Sequence, residues 1–193
     1  MLKIGLIGGV AAGKSSVAKH FAKHGIPVLD ADVFAKEITA IGTIPYKKIL
    51  RHFGPSLLLS DKELNRKLLR NIIFCDPEEK KWLEKLLHPR IYTAIRLALQ
   101  KIKAPCVILV LSALLESPDL RFQKLLDFVI TVESTKKLQI ERLCERDKIS
   151  IKLAKAMIDG QVSSKERLAY ADCVIKNNGT LTDLQKQFKN ITY

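Results

Sequence analysis

Aromatic side chains account for only 6% of this 193-residue chain, too few for the stacking surface on which single-stranded nucleic acid is bound. No apolar run approaches the length of a membrane span, and the first residues lead straight into strand-like sequence instead of a secretory leader. Cysteine is sparse and scattered: Cys75, Cys106, Cys144 and Cys173 show neither a C-x-x-C pair nor a zinc-like spacing. They are expected to be small buried hydrophobes in a reducing compartment, which makes the cytoplasm the expected location. Blocks of like charge are missing too. Basic residues exceed acidic ones by a formal +13, yet they are spread along the chain (Lys47-Lys48, Lys80-Lys81, Lys136-Lys137) and interleaved with acids. That spread suits solvated helix faces, or a general attraction for small polyanions, better than it suits nucleic acid. With no internal repeat and no low-complexity linker, the length fits one core carrying insertions.

Against these absences one stretch stands out. Gly8-Gly9-Val10-Ala11-Ala12-Gly13-Lys14-Ser15 fits the phosphate-loop pattern G-x-x-x-x-G-K-[ST] without a gap, and Ser16 follows it. In front, Leu2 to Ile7 is a short apolar run of the kind buried in a parallel sheet. Behind, Ser15 to His24 sets Val17 and Phe21 one turn apart with Ala18 and Ala22 beside them, so a helix begins at the loop and stops at Gly25 and Pro27. This strand and helix weigh against a glycine-rich turn that matches by accident. Glycines at 8 and 13 admit backbone conformations that a Cβ forbids, and successive N–H groups then form a cradle for anionic oxygens at the positive end of the helix. In that setting Lys14 reaches the β- and γ-phosphates of a nucleoside triphosphate, and Ser15 offers its hydroxyl to Mg²⁺.

Ile26 to Leu29 predicts a second strand ending in Asp30-Ala31-Asp32. Extended alternation there would turn both carboxylates to one side, facing one pocket, while either could instead cap the next helix. From Val33 to about Lys103 no strand is predicted. Helices are expected over 34–41, after Pro45 with Tyr46, Ile49, Leu50 and Phe53 on one face, and through Leu64, Leu68 and Ile72. Asp76-Pro77-Glu78-Glu79 starts another, which His88-Pro89 breaks before a further helix through Ile91, Ile95 and Leu99. Such a helical block reads as an inserted substrate-binding region. Cys106–Leu111, Leu125–Val132 and Cys173–Ile175 supply the third, fourth and fifth strands. Ser134 is expected to cap a helix reaching about Arg146, Ser150 one ending near Gly160, and a third covers 164–171. Leu184, Phe188 and Ile191 give a closing helix its apolar face. The fold class is α/β with a five-stranded parallel sheet.

Phosphoryl transfer needs further positive charge and a carboxylate for the acceptor hydroxyl. Gln139, Arg142 and Arg146, at i, i+3 and i+7, share one helix face, and arginine's planar fork suits phosphate oxygens. The same spacing also describes a solvated helix with ordinary i, i+4 pairs. Nothing local separates Arg167 from a surface charge. His88 is either a ligand or base, or a structural histidine at a helix break. Glu116 is the one acid near the end of the third strand, and Ser112 directly follows that strand, so the metal's remaining ligands are expected from water, ATP oxygens and Asp32.

Six pieces now stand in order along the chain: Gly8-Gly9 to Ser15; Asp30-Ala31-Asp32; Leu87-His88-Pro89; Leu114-Leu115 with Glu116; Gln139-x-x-Arg142-x-x-x-Arg146-Asp147; and Ala171-Asp172-x-Val174-Ile175-x-Asn177. Together, over nearly the whole chain, they resemble the dephospho-coenzyme A kinases. A phosphate loop alone is shared by many kinases; its combination with the other five pieces is far more specific. The resemblance implies a three-layer phosphate-loop kinase fold with a nucleotide-binding core (1–33 with 104–135 and 168–193), a helical acceptor-binding insertion (34–103) and a helical lid (136–167). It implies ATP- and Mg²⁺-dependent phosphorylation of the ribose 3′-hydroxyl of dephospho-coenzyme A, with only small-molecule partners; the sequence does not decide between a monomer and a small homo-oligomer. On the matching positions, Asp32 would be the base, and Lys14 and Arg142 would stabilise the transferring group. Arg146 and Asn177 would contact ATP, and His88 and Leu114 would border the acceptor. Two positions depart from the family pattern: Ser112-Ala113 replaces the usual Pro-Leu beside the acceptor, and Ala11 stands where glycine is frequent. Another small-molecule or nucleoside monophosphate kinase, or a phosphate-loop module with nucleic-acid affinity, are the alternatives.

Overall fold

A computed structural model describes residues 1–112, 115 and 120–188. The chain divides into two compact units, Met1–Asp30 with Ile102–Tyr193, and Ala31–Lys101. β1 (Leu2–Gly8), α1 (Lys14–Lys23) and β2 (Val28–Asp30) belong to the first unit. The second holds α2 (Ala31–Ile38), α3 (Ile44–Phe53), α4 (Arg66–Cys75) and α5 (Pro77–Lys101). The first unit resumes with β3 (Cys106–Val110), β4 (Phe128–Glu133), α6 (Lys136–Asp147), α7 (Ile151–Asp159), α8 (Ser164–Tyr170), β5 (Cys173–Lys176) and α9 (Leu181–Phe188). Among the described residues no helix is long and apolar enough to cross a membrane.

The strands of the first unit lie in the order β2-β3-β1-β4-β5, and every pair is parallel. β3 and β1 are flanked on both sides, which is why Val107 to Val110 and Leu6 are almost wholly buried. Leu6, Ile108, Val110, Ile130, Val132 and Ile175 of the sheet pack with Val17, Ala18 and Phe21 of α1 and with Leu184 of α9. Asp172 fixes the start of β5, its carboxylate accepting from Val129 N–H at 2.8 Å. The register sets Gly8 beside Val132 and Glu133 beside Lys176. A parallel sheet therefore brings the ends of β1, β4 and β5 to one edge, where open α/β sheets place their ligands.

The second unit packs around Tyr46, Ile49, Leu57, Leu64, Leu69, Leu83 and Leu86. Thr43 caps α3 by accepting from Tyr46 N–H, and Asn65 caps α4 by accepting from Leu68 N–H. Tyr46 donates its hydroxyl to Lys62 O at 2.5 Å, which closes the segment between the two helices.

Four expectations need correction. α5 is one 25-residue helix that runs through Pro89. A mid-helix proline costs about 3 kcal/mol, but Leu83, Leu86, Ile91, Ile95 and Leu99 on either side are all buried, each worth about 1.5–3 kcal/mol. Arg90 also donates from Nη1 to Leu86 O at 2.6 Å, supporting a carbonyl in the turn that the proline weakens. Thr135, not Ser134, caps α6; the Ser134 hydroxyl instead donates to Asn177 O. The cysteines are not buried: Cys75 is exposed at the end of α4, and Cys106, Cys144 and Cys173 are half-buried. The helix expected over 34–41 starts directly after β2, at Ala31.

Candidate active site

Gly13 is the N-cap of α1 and has φ 104°, a left-handed value that glycine takes without strain. A Cβ there would also collide with Asn177 Nδ2, which donates to Ala12 O at 2.9 Å. Because this residue is glycine, α1 has no side-chain cap, and its first turn carries no acid. By contrast, Thr43, Asn65, Thr135, Ser150 and Ser163 cap α3, α4, α6, α7 and α8. The first amides of a helix have no intrahelical carbonyl, so α1 offers its positive end to an anion. Ser15 and Ser16 are exposed in that same turn.

Lys14 folds back over the loop, donating from Nζ to Gly8 O at 2.6 Å and to Gly9 O at 3.1 Å. Asn177, at the end of β5, ties the loop to α6. Its carbonyl accepts from Arg142 Nη2 at 3.1 Å and from Ser134 Oγ at 3.1 Å, and Arg142 Nη1 also donates to Ser134 Oγ at 3.3 Å. Arg142 is thus anchored beside the phosphate loop, not paired along a solvated helix. Arg146 differs: it makes two 2.8 Å bonds to its neighbour Asp147 and remains about half exposed.

Arg167 is not a surface charge. It is 8% exposed and donates from Nε and Nη2 to the two carboxylate oxygens of Glu133, at 2.8 and 3.2 Å. Ser164 Oγ and Thr131 Oγ1 add bonds of 2.7 and 3.0 Å to the same carboxylate. Burial pushes the Glu133 carboxyl up, but the Arg167 guanidinium with the two hydroxyls outweighs it and holds the group below its ordinary value. Gln139, almost fully buried, donates from Nε2 to Val10 O at 3.1 Å, and Val10 N–H donates to Gln161 Oε1 at 2.7 Å. Glu133, Ser134, Gln139, Gln161, Ser164 and Arg167 line a cavity of about 280 Å³. Sequence reasoning missed Glu133 and Gln161, since neither has a local pattern and their partners lie 34 and 151 residues away.

The family model of dephospho-CoA kinase matches residues 2–183. The chain belongs to the dephospho-CoA kinase family. That family catalyses the last step of coenzyme A biosynthesis, so the chain is a kinase with the phosphate-loop fold. The dephospho-CoA kinase of Coxiella burnetii is 42% identical over 186 residues, covering 96% of this chain and 92% of that protein. Among solved structures, TT1252 from Thermus thermophilus superposes with a TM-score of 0.81 at 28% identity, covering 98% of this chain and 95% of that one. A dephospho-CoA kinase from Campylobacter jejuni gives 0.66 at 29% identity, covering 98% and 96%.

Two of the residues that match the dephospho-CoA kinase pattern lie in the second unit. Asp32 is the second residue of α2 and is exposed in its first turn. The chain is helical from Ala31, so the extended alternation through Asp32 on which the expected same-side pairing with Asp30 rests stops at Asp30. His88 is half-buried within α5, one residue before Pro89. Leu114 and Glu116 lie outside the described residues.

Proposed function

We propose that the chain transfers the γ-phosphoryl group of ATP to the ribose 3′-hydroxyl of dephospho-coenzyme A, with Gly8 to Ser16 as the phosphate site. The observation that carries this reading is the uncapped, acid-free N-terminus of α1 behind a loop whose lysine is already in place. Lys14 donates to carbonyl oxygens of the loop and Arg142 to a carbonyl and a hydroxyl oxygen, and a phosphate offers each a stronger, charge-assisted partner. Lys14 would then neutralise charge on the β- and γ-oxygens and Arg142 on the transferring group, while Arg146 and Asn177 contact the nucleotide. Asp32 accepts the proton of the acceptor hydroxyl, a role that its exposure and helix-terminal position permit. His88 and Leu114 border the acceptor, and residues 136–167 act as the lid. The exposed Ser15 hydroxyl fits Mg²⁺, whose other ligands come from phosphate and water, as is usual for this ion. When bound, the ion screens charge between the β- and γ-phosphates.

The test is a panel of acceptors. Purified protein with ATP and Mg²⁺ is offered dephospho-coenzyme A, AMP, CMP or shikimate in turn, and ADP release is followed. Release is expected with dephospho-coenzyme A. Turnover on one of the others, and none on dephospho-coenzyme A, would overturn the reading.

A further inference from the structure

The strained joint of the phosphate loop is the peptide between Val10 and Ala11. Ala12 N–H donates to Gly9 O at 3.2 Å, closing a four-residue turn with Val10 and Ala11 as its central pair. Ala11 has φ 56°, the sign that a type II turn demands at its third residue and that glycine or asparagine normally supplies. A type I turn would suit alanine better, and the two types differ by turning the central peptide over. Gln139 opposes that flip by holding the carbonyl that would turn over, and Gln161 fixes the preceding Gly9–Val10 peptide that frames it. Gln139 Nε2 holds Val10 O, and Gln161 Oε1 holds Val10 N–H, so both polar groups of Val10 are engaged by side chains from distant segments. Gln139 can approach because its neighbour is glycine: a Cβ at Gly9 would stand 2.5 Å from its Nε2. Val10 and Ala11 also pack against Leu143, Ala154 and Met157 of α6 and α7.

The Val10–Ala11 peptide is trans, so the Ala11 N–H points opposite to Val10 O and away from Gln139. We propose that Gln139 and Gln161 are positioning residues that keep this peptide turned so that the Ala11 amide joins the phosphate cradle. If the peptide flipped, a carbonyl oxygen would face the phosphates in place of an N–H, and binding would lose a donor and gain a repulsion. The pair compensates for alanine at position 11. The inference rests on the reading that this loop holds the phosphates of ATP.

Wild-type protein is assayed first, and no ADP release with ATP and dephospho-coenzyme A would end the functional reading. With turnover established, Gln139→Leu and Gln161→Met are each made alone and together with Ala11→Gly. Each single change is expected to raise the KM for ATP about tenfold, the scale of one lost hydrogen bond with its partner left unsatisfied. The effect on kcat should be smaller, and the KM for the acceptor should not move. Glycine at position 11 takes the left-handed conformation without help, so Ala11→Gly should restore most of the ATP affinity in both backgrounds. An unchanged KM for ATP, or a loss that Ala11→Gly does not relieve, would overturn the proposal. Should Gln139→Leu not fold, the Gln161→Met pair carries the same expectations, because Gln161 is only half-buried and lies outside the helices.

Discussion

The nucleotide-binding unit and the helical unit use different materials for their functional residues. Around the phosphate loop, Arg142, Ser134 and Asn177 form one polar knot, Glu133 and Arg167 a second, and Gln139 and Gln161 hold Val10. All of these lie at one edge of a sheet whose central strands are buried. In the helical unit an apolar cluster holds the helices, and its principal candidate, Asp32, sits exposed in the first turn of α2. Under the proposed function the difference follows from the chemistry of each part. An anion site made of backbone amides works only if those amides are fixed in advance, whereas a base for a substrate hydroxyl needs access first.

That contrast can be broken by mutation. The largest effect is expected from Lys14→Met, which removes the ammonium from the loop and should lower turnover by about a thousandfold, the upper range for one charge-stabilising donor. Steady-state kinetics would show it; a loss below tenfold would move the phosphate centre elsewhere. Next comes Arg167→Ala, which strands the Glu133 carboxylate and should cost about 3–5 kcal/mol in denaturant unfolding. Glu133 also sets a pH signature. Its carboxyl is held below the ordinary value of 4.5, so its contribution is complete above that value and fades as pH falls through the lower folded-state value. Glu133→Gln should therefore flatten the acid limb of the stability curve; an acid limb as steep as that of the wild type would place the network outside the stability account.

In the helical unit, Asp32→Asn should lower kcat by about a hundredfold, the usual scale of a positioned base, and calorimetry should find ATP affinity unaltered. Weakened ATP binding with intact kcat would assign Asp32 to the nucleotide instead. The smallest effect is expected from Thr43→Ala. It removes the α3 cap and should cost about 1 kcal/mol, with no change in turnover, as thermal unfolding and kinetics together would report.

The contiguous parts of the site were legible in the chain itself. The strand, loop and helix from Leu2 to Lys23 follow from the phosphate-loop pattern and its flanks, and Ser150 caps its helix as local chemistry predicts. What was illegible depends on partners far along the chain. Arg167 looks like a surface charge until β4 brings Glu133 to it, and Gln161 has no feature until Val10 meets it. Ser134 was assigned to a cap because capping is local, but Asn177, 43 residues on, claims its hydroxyl. Pro89 misled for the opposite reason. A strong local rule against proline in helices lost to apolar side chains buried on both sides of it. At Asp32 only the backbone departs from the sequence expectation, since β2 gives way to helix at Ala31, two residues sooner than extended alternation through Asp32 requires.

The central claim is that a triphosphate sits on the amides at the start of α1. Backbone amide shifts recorded while ATP is added to the isotope-labelled protein, without acceptor, test it most directly. The largest shifts are expected at Ala11 and from Gly13 to Ser16. ATP that binds while those five amides stay unmoved would contradict the account.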